Sequence, residues 1–255
     1  MAKRIKFRLL TDEGDNGKLA KSAGTEYRNC GLSLAPADIS GHEMCPSRTD
    51  GCTMSCVGKT AGRVVIWKSV MDARIRRTRF FVENRDKFVF DLYKDLDKVL
   101  AIAAAEGRKV ACRLNTFSDQ PWEVILPQLF TDFADIQFYD YTKIRGRMLR
   151  FVFGSFPPNY YLTYSLNEKT PDGFAHTILT NGGTVTAAID ISIRSSAALP
   201  EYFSVDGAGP NWPAVDGDNS DLRFLDPRGS VVLLRAKGNL LSKPNDFVRS
   251  ADSSR

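Results

Sequence analysis

Hydrophobic and polar positions follow two different periods along this chain. Between Asn84 and Gly107 the apolar residues recur every three or four positions, at Phe88, Leu92, Leu96, Val99, Leu100 and Ala103. This spacing predicts a helix that is capped by Asn84, stopped by Gly107 and buried along one face. A second helix is predicted from Gly62 to about Phe81. It carries a basic cluster that could contact phosphate or simply form a solvated face: Arg74, Arg76, Arg77 and Arg79.

After Gly107 the pattern changes to short β-type runs. The predicted strands lie at 110–115, 136–141, 160–165, 184–191 and 229–238. Between them we expect a helix at 121–130, a basic connection at 145–150 and mostly loops from 172 to 227. Strands that alternate with such crossovers predict an α/β fold with a mainly parallel sheet.

Composition narrows the class of protein without identifying it. The 255 residues are 43% apolar and 25% charged, which is typical of a globular chain. We expect a single α/β domain over 1–242 and a polar tail over 243–255. No run approaches 18 apolar residues and the basic start lacks a secretory signal, so we expect a cytoplasmic protein with no membrane partner. A net charge of +5 is compatible with a nucleic acid or a phosphorylated ligand.

The clearest chemical signal is a cysteine cluster with the spacing C-x6-C-x3-C, formed by Cys45, Cys52 and Cys56 within a 17–60 metal-binding region. If a helix begins near Cys52, the last two thiols point from one face, and the preceding loop can bring Cys45 to the same point. Thiolates bind soft and borderline metals, and no disulfide scheme uses three cysteines evenly. Cys30 is either a fourth ligand or a small buried side chain.

Polar residues follow three of the predicted strands, where the carboxyl ends of parallel strands share one edge. The predicted pocket residues are Asn115, Ser118, Asp119, Tyr139, Asp140, Tyr141, Lys143, Ser165, Asn167 and Glu168. The alternative is that each group only caps a helix. Because no phosphate-binding loop or nucleophile triad is found, any catalysis would depend on a metal centre.

A second candidate site lies near the end of the chain. Its three carboxylates, Asp216, Asp218 and Asp221, have a spacing that can hold a divalent cation through oxygen ligands. The alternative is a turn that is stabilised by Asx hydrogen bonds and by pairing with Arg223.

These motifs resemble the phage-encoded gene product 88 family over residues 17 to 239. The resemblance rests on the cysteine cluster, the strand ends described above, Trp122-Glu123, Asp216-Gly-Asp and Ala236-Lys237-Gly238. It implies a phage protein that acts in the cytoplasm of the infected bacterial host.

The order of cysteine loop and βα units also resembles radical S-adenosylmethionine enzymes, which implies a partial or complete (β/α) barrel. By this likeness Cys45, Cys52 and Cys56 would hold a 4Fe-4S cluster, or a 3Fe-4S cluster, and S-adenosylmethionine would lie near Asn115, Ser118 and Asp119. The cysteine spacing differs from the C-x3-C-x2-C common in those enzymes, so cluster binding is better supported than S-adenosylmethionine binding.

Three functions remain open at this level. The first is an iron–sulfur protein with a polar pocket that could act as a redox or radical enzyme on a small molecule or nucleotide. The second is a zinc-stabilised protein in which Cys30 completes the site and the basic helix binds nucleic acid. The third is a protein that binds a host partner and uses metal only for folding.

Overall fold

The computed structural model describes residues 8–17, 19–206, 209–237 and 246–251. The basic start 1–7, Gly238 and most of the tail 243–255 lie outside these ranges. The described strands are β1 Leu10–Asp12, β2 Tyr27–Leu32, β3 Lys109–Arg113, β4 Ile136–Thr142, β5 Tyr160–Ser165, β6 Thr184–Ser192, β7 Tyr202–Ser204, β8 Asn211–Asp216, β9 Val231–Ala236 and β10 Val248–Arg249. The described α-helices are α1 Asp50–Met54, α2 Val57–Thr60, α3 Arg63–Ile66, α4 Lys68–Glu83, α5 Arg85–Ala105, α6 Trp122–Ile125, α7 Gln128–Asp132, α8 Arg145–Val152 and α9 Phe174–Thr180.

The chain divides into two compact units that alternate along the sequence. The first unit contains 1–45, 69–140 and 157–161, and the second contains 46–68, 141–156 and 162–255. Strands β4 and β5 begin in the first unit and end in the second.

The first unit is built on a mostly parallel sheet. Strand β3 pairs in parallel with β2 and with β4, and β1 adds to β2 in the antiparallel sense. Helix α5 packs on β2 and β3 through Phe88, Leu92, Leu96 and Val99, all fully buried. The predicted helix is confirmed at both ends: Asn84 is the N-cap, and Gly107 adopts the positive φ of 67° that a glycine tolerates best.

The second unit also has a mostly parallel sheet. Strand β6 pairs in parallel with β5 and β9, β9 pairs in parallel with β8, and β7 adds to β8 in the antiparallel sense. The short strand β10 pairs in parallel with Ala188 and Ile189 of β6, which follow the residues of β6 that pair with β5. Part of the predicted tail therefore belongs to the sheet. The predicted α/β class with a mainly parallel sheet is confirmed, whereas barrel closure is not among the described pairings and stays a prediction.

Several predicted element boundaries are wrong. The helix over 62–81 is two helices, because Trp67 is extended and the preceding β-branched run Val64-Val65-Ile66 favours helix weakly. The helix over 121–130 is also divided, into α6 and α7, at Leu126, since a residue before proline avoids the α conformation. The basic connection over 145–150 is helix α8, and the 172–227 segment contains α9, β7 and β8 in addition to loops.

Candidate functional site

The five cysteines fall into two groups. Cys30 and Cys112 are fully buried and lie opposite each other on the paired strands β2 and β3. Burial, together with the neighbouring Cys30 thiol, holds the pKa of Cys112 well above its ordinary value. Cys45, Cys52 and Cys56 are only partly buried, and none of the five described cysteines forms a disulfide. The three clustered cysteines are therefore the accessible ones.

Cys45 lies in the first unit, at the end of the loop that follows β2. Its sulfur accepts a hydrogen bond from the Ala37 amide at 3.4 Å and lies 3.7 Å from the Phe117 carbonyl oxygen. Its own amide donates to the Glu43 carboxylate at 2.8 Å. The sulfur therefore lies between a backbone N–H donor and a backbone carbonyl acceptor.

Cys52 and Cys56 lie in the second unit on consecutive short helices. Helix α1 begins at Asp50 after the N-cap Thr49, whose hydroxyl accepts from the Cys52 amide at 3.2 Å. It ends at Met54, and Cys56 is the N-cap of α2. The prediction that Cys52 and Cys56 share one face of a continuous helix is therefore wrong, because the helix ends between them.

Glu168 fixes the start of the cysteine-bearing helix α1. Its Oε1 accepts a hydrogen bond from the Gly51 amide at 2.8 Å. Partial burial raises the pKa of Glu168, but hydrogen bonds from its own amide, from Thr49 and from Gly51 outweigh burial and lower the pKa below its ordinary value. An ionised carboxylate at the positive end of a helix is the favourable arrangement. The structure thus joins a predicted pocket residue to the segment that carries Cys52.

The predicted pocket residues of the first unit hydrogen-bond mainly to one another. Asp140, fully buried, accepts from the Asn115 amide at 2.7 Å, from the Asn115 side chain at 3.1 Å and from the Tyr160 hydroxyl at 2.6 Å. Asn115 Oδ1 in turn accepts from the Ser118 hydroxyl and the Trp122 indole. This network fastens the loop after β3 to the end of β4.

Two other predicted pocket residues of the first unit, Asp119 and Tyr139, also form hydrogen bonds within that unit. The Asp119 amide donates to the Met44 carbonyl at 2.8 Å, one residue before Cys45. The Tyr139 hydroxyl and the Asn29 side chain exchange hydrogen bonds inside the sheet. These contacts place Asp119 beside the cysteine loop and Tyr139 in the core.

In the second unit, two of the predicted strand ends meet. Lys143 Nζ donates to the Ser165 hydroxyl at 2.8 Å, which joins the ends of β4 and β5. Asn167 accepts from the Lys169 amide and organises the turn that follows β5, and Tyr141 is half-buried near the end of β4.

A cavity of about 570 Å³ lies in the second unit, where the loops after β4 and β5 lead into α8 and α9. It is lined by Arg145, Leu149, Pro171, Asp172, Gly173, Phe174 and Thr177. These lining residues follow β4 and β5 along the chain, but none of them belongs to the predicted pocket, which stays a prediction. Single-sequence patterns gave no signal for Arg145 or Asp172 beyond their position after these strands.

The acidic stretch of the second unit is paired with basic side chains. Asp216 forms an ion pair with Arg235 at 2.7 Å, and Asp218 accepts from Lys237 at 2.6 Å. The Asp218 amide donates to the Asp216 carboxylate at 2.8 Å, which is the expected Asx hydrogen bond. Among the described residues, no group of three or more His, Cys, Asp or Glu side chains is arranged to hold a metal ion. The metal sites stay predictions.

The basic cluster on α4 is not one solvated face. Arg74 is buried with its guanidinium 3.8 Å from the centre of the Phe117 ring, and burial lowers the pKa of Arg77. Arg76 and Arg79 are exposed, and Arg79 donates to the Ser40 carbonyl. Two of the four arginines that were predicted to contact phosphate, Arg74 and Arg77, are therefore buried or half-buried in the protein.

A group of contacting side chains around His176 in the second unit was not predicted from the sequence. Its Nδ1 accepts from the Trp212 indole at 2.8 Å, and its Nε2 lies 3.0 Å from the Asp206 carboxylate. These contacts specify the Nε2–H tautomer and fix α9 to the segments around β7 and β8.

Together the two units define a mixed α/β protein with mostly parallel sheets. The chain belongs to the gene product 88 family, whose model matches residues 8–255. The match extends beyond the predicted 17–239 at both ends. Comparison with curated proteins and with solved structures gave no match, so the likeness to radical S-adenosylmethionine enzymes gains no support.

No helix within the described ranges has both the length and the apolar character needed to cross a bilayer.

Proposed function

We propose that this member of the gene product 88 family binds an iron–sulfur cluster through Cys45, Cys52 and Cys56. The observation that carries the proposal is the contrast among the five cysteines. Cys30 and Cys112 are fully buried in a sheet, whereas the clustered three are only partly buried. Cluster ligands must be thiolates that can be reached by iron and sulfide, and only the second group meets that condition.

The groups that contact Cys45 and the backbone of Cys52 are chemically suited to a bound cluster. The Ala37 amide donates to the Cys45 sulfur, and such N–H···S bonds tune the potential of a cluster. Thr49 and Glu168 hold the start of α1 and thereby the backbone of Cys52. A bound cluster would supply electron transfer or, with one iron left open, a site for a ligand. A 4Fe-4S cluster is favoured and a 3Fe-4S cluster is compatible with three cysteines.

The same proposal assigns a small molecule or nucleotide to the cavity of the second unit. Arg145 offers a permanent cation to an anionic group, Asp172 offers an acceptor, and Phe174 offers an aromatic surface. Radical or redox chemistry and S-adenosylmethionine are finer parts of this proposal, and they depend on the cluster being present. The predicted (β/α) barrel is a finer part of the fold and does not depend on the cluster.

The experiment is anaerobic purification followed by iron, acid-labile sulfide and zinc analysis with an absorption spectrum. We expect a brown protein with roughly four irons and matching sulfide per chain. The variants Cys45→Ala, Cys52→Ala and Cys56→Ala should each lose most of the iron, whereas the matched control Cys112→Ala should retain it.

A colourless protein without iron after anaerobic purification would overturn the proposal. Stoichiometric zinc that is released by Cys30→Ser as well as by Cys52→Ala would favour the zinc-stabilised alternative with Cys30 as fourth ligand. If Cys45, Cys52 and Cys56 bind the cluster, Cys30→Ser should retain its iron, because Cys30 lies in the core of the first unit and is not a ligand.

A further inference from the structure

Helix α3 and the residue after it present an unusual apolar surface in the second unit. Val65, Ile66 and Trp67 retain 63%, 71% and 52% of their full exposure. We call these three residues the apolar tip. Consecutive residues of a helical turn point in directions about 100° apart, so three neighbours that are all exposed must surround a projecting turn and not line a flat face. Only Val64 in this segment is half-buried and can anchor it.

The backbone supports a projecting turn. Gly62 has a φ of 70°, where a side chain would be strained, and Trp67 is extended with its amide donating to the Arg63 carbonyl. The turn is therefore closed at both ends by its own hydrogen bonds and geometry. Large apolar side chains exposed together on such a turn mark a surface that is covered by something else.

The charged residues that flank the apolar tip in the sequence are all basic. From 51 to 71 the chain contains Lys59, Arg63 and Lys68 and no acidic residue. All three basic side chains are exposed. The partner must then offer an apolar interior beneath an anionic surface. Trp beside aliphatic residues and flanking lysines is the arrangement that favours the boundary between lipid headgroups and acyl chains.

We propose that the apolar tip inserts into the surface of a bilayer that contains anionic phospholipid. A projecting turn with three exposed apolar side chains suits a soft medium, which can close around it, better than a flat protein surface. A single-stranded nucleic acid would stack on Trp67 but would leave Val65 and Ile66 in water. This inference departs from the expectation of no membrane partner, which rested on the lack of a spanning segment and does not concern surface insertion.

The test uses the full chain with vesicles of phosphatidylcholine, with and without phosphatidylglycerol. We expect co-sedimentation with the anionic vesicles, weakened by salt. The chain has three tryptophans; Trp122 is fully buried and Trp212 partly so, hence a blue shift of the emission on binding should come from Trp67. Trp67→Phe should keep the binding and lose the shift.

Two variants separate insertion from adsorption by charge. The double variant Val65→Ser/Ile66→Ser should bind anionic vesicles at least about tenfold more weakly. Replacing Lys59 and Lys68 by Gln should weaken binding about fivefold per charge. The matched control Phe153→Ser changes an equally exposed apolar residue of the same unit and should bind like the wild type.

Failure of the wild type to bind anionic vesicles at low salt would overturn the proposal. Equal binding by the Val65→Ser/Ile66→Ser variant would also overturn it, because adsorption would then need no insertion. Tighter binding of a single-stranded oligonucleotide than of vesicles, lost in Trp67→Ala, would assign the tip to nucleic acid instead.

Discussion

The Glu168 carboxylate accepts a hydrogen bond from the Gly51 amide at 2.8 Å, across 117 positions of sequence. A β-carbon added at Gly51 would lie 2.8 Å from the same oxygen, so only glycine allows this close approach. Because Thr49 and Gly51 flank the start of α1, this contact links the end of β5 to the backbone of Cys52. The consequences can be tested one residue at a time.

Gly51→Ala should displace the Glu168 carboxylate and lower the free energy of unfolding by about 1–2 kcal/mol, the value of a hydrogen bond to a charged acceptor at a partly exposed site. Urea denaturation measures the change. Gly146→Ala is the matched control: it lies in α8 of the same unit, and nothing lies within 4 Å of an added β-carbon. That variant should be neutral or slightly more stable, since alanine favours helix. Equal losses in both variants would contradict the account of Glu168.

Glu168→Gln should show a pH-dependent loss of stability. Since the pKa of Glu168 is lowered in the folded protein, its ionisation stabilises the fold above the unfolded pKa of about 4.3, and this contribution is lost as the pH falls through the folded pKa. The wild type should therefore exceed the variant in stability at pH 7, and the difference should shrink toward pH 3. Melting temperatures across this range measure it, and a constant difference would contradict the lowered pKa.

The contribution of Asp226 to stability should depend on pH in the opposite sense to that of Glu168. Burial raises its pKa to about 6, Arg223 at 3.2 Å opposes that rise and Asp221 adds to it. A carboxyl whose pKa is higher in the folded state binds its proton more tightly there, so its contribution to stability declines as the pH rises from about 4 to about 6.

Relative to the wild type, Asp226→Asn should gain about 1–3 kcal/mol between pH 4 and pH 7. Asp172→Asn, which changes an exposed carboxyl of the same unit, is the control for the substitution itself. Denaturation at the two pH values measures both, and parallel curves for Asp226→Asn and wild type would show that the pKa is not raised.

Asp140→Ala should be severely destabilising, by about 3–5 kcal/mol, because it leaves three buried donors from Asn115 and Tyr160 without their acceptor. Asp135→Ala, at an exposed position just before β4, should change stability by no more than about 0.5 kcal/mol. Thermal denaturation of the two variants distinguishes a structural network from a loosely held pocket. A mild effect at Asp140 would favour the pocket.

Thiol titration should divide the cysteines as the structure does. In the metal-free folded protein, Cys45, Cys52 and Cys56 should react quickly with a thiol reagent. Cys30 and Cys112 should react only after unfolding, because both are fully buried on the paired strands β2 and β3. If a metal is bound, the first three should react only after its removal. Fast reaction of all five in the folded state would contradict the burial of the Cys30–Cys112 pair.

The sequence by itself determined those features that depend on near neighbours. The helical spacing of Phe88, Leu92 and Leu96 predicted α5, since a 3.6-residue period needs no information from elsewhere. Runs of aromatic and β-branched residues located β4, β5 and β6 to within a residue or two. The cysteine cluster and strand-end motifs were also enough to predict the family. The mainly parallel sheet followed from the alternation of strands and crossovers.

Only the tertiary structure decided which polar residues are structural. Strand β2 was not predicted because Arg28 and Asn29 interrupt its apolar pattern, and both are buried against distant partners: Arg28 pairs with Glu106, and Asn29 bonds to Tyr139. Asp140 was predicted as a pocket residue, and its three hydrogen-bond donors are visible only in the structure. Such partners lie up to 117 positions away, and a burial cost that is offset by a distant donor leaves no local signal in the sequence.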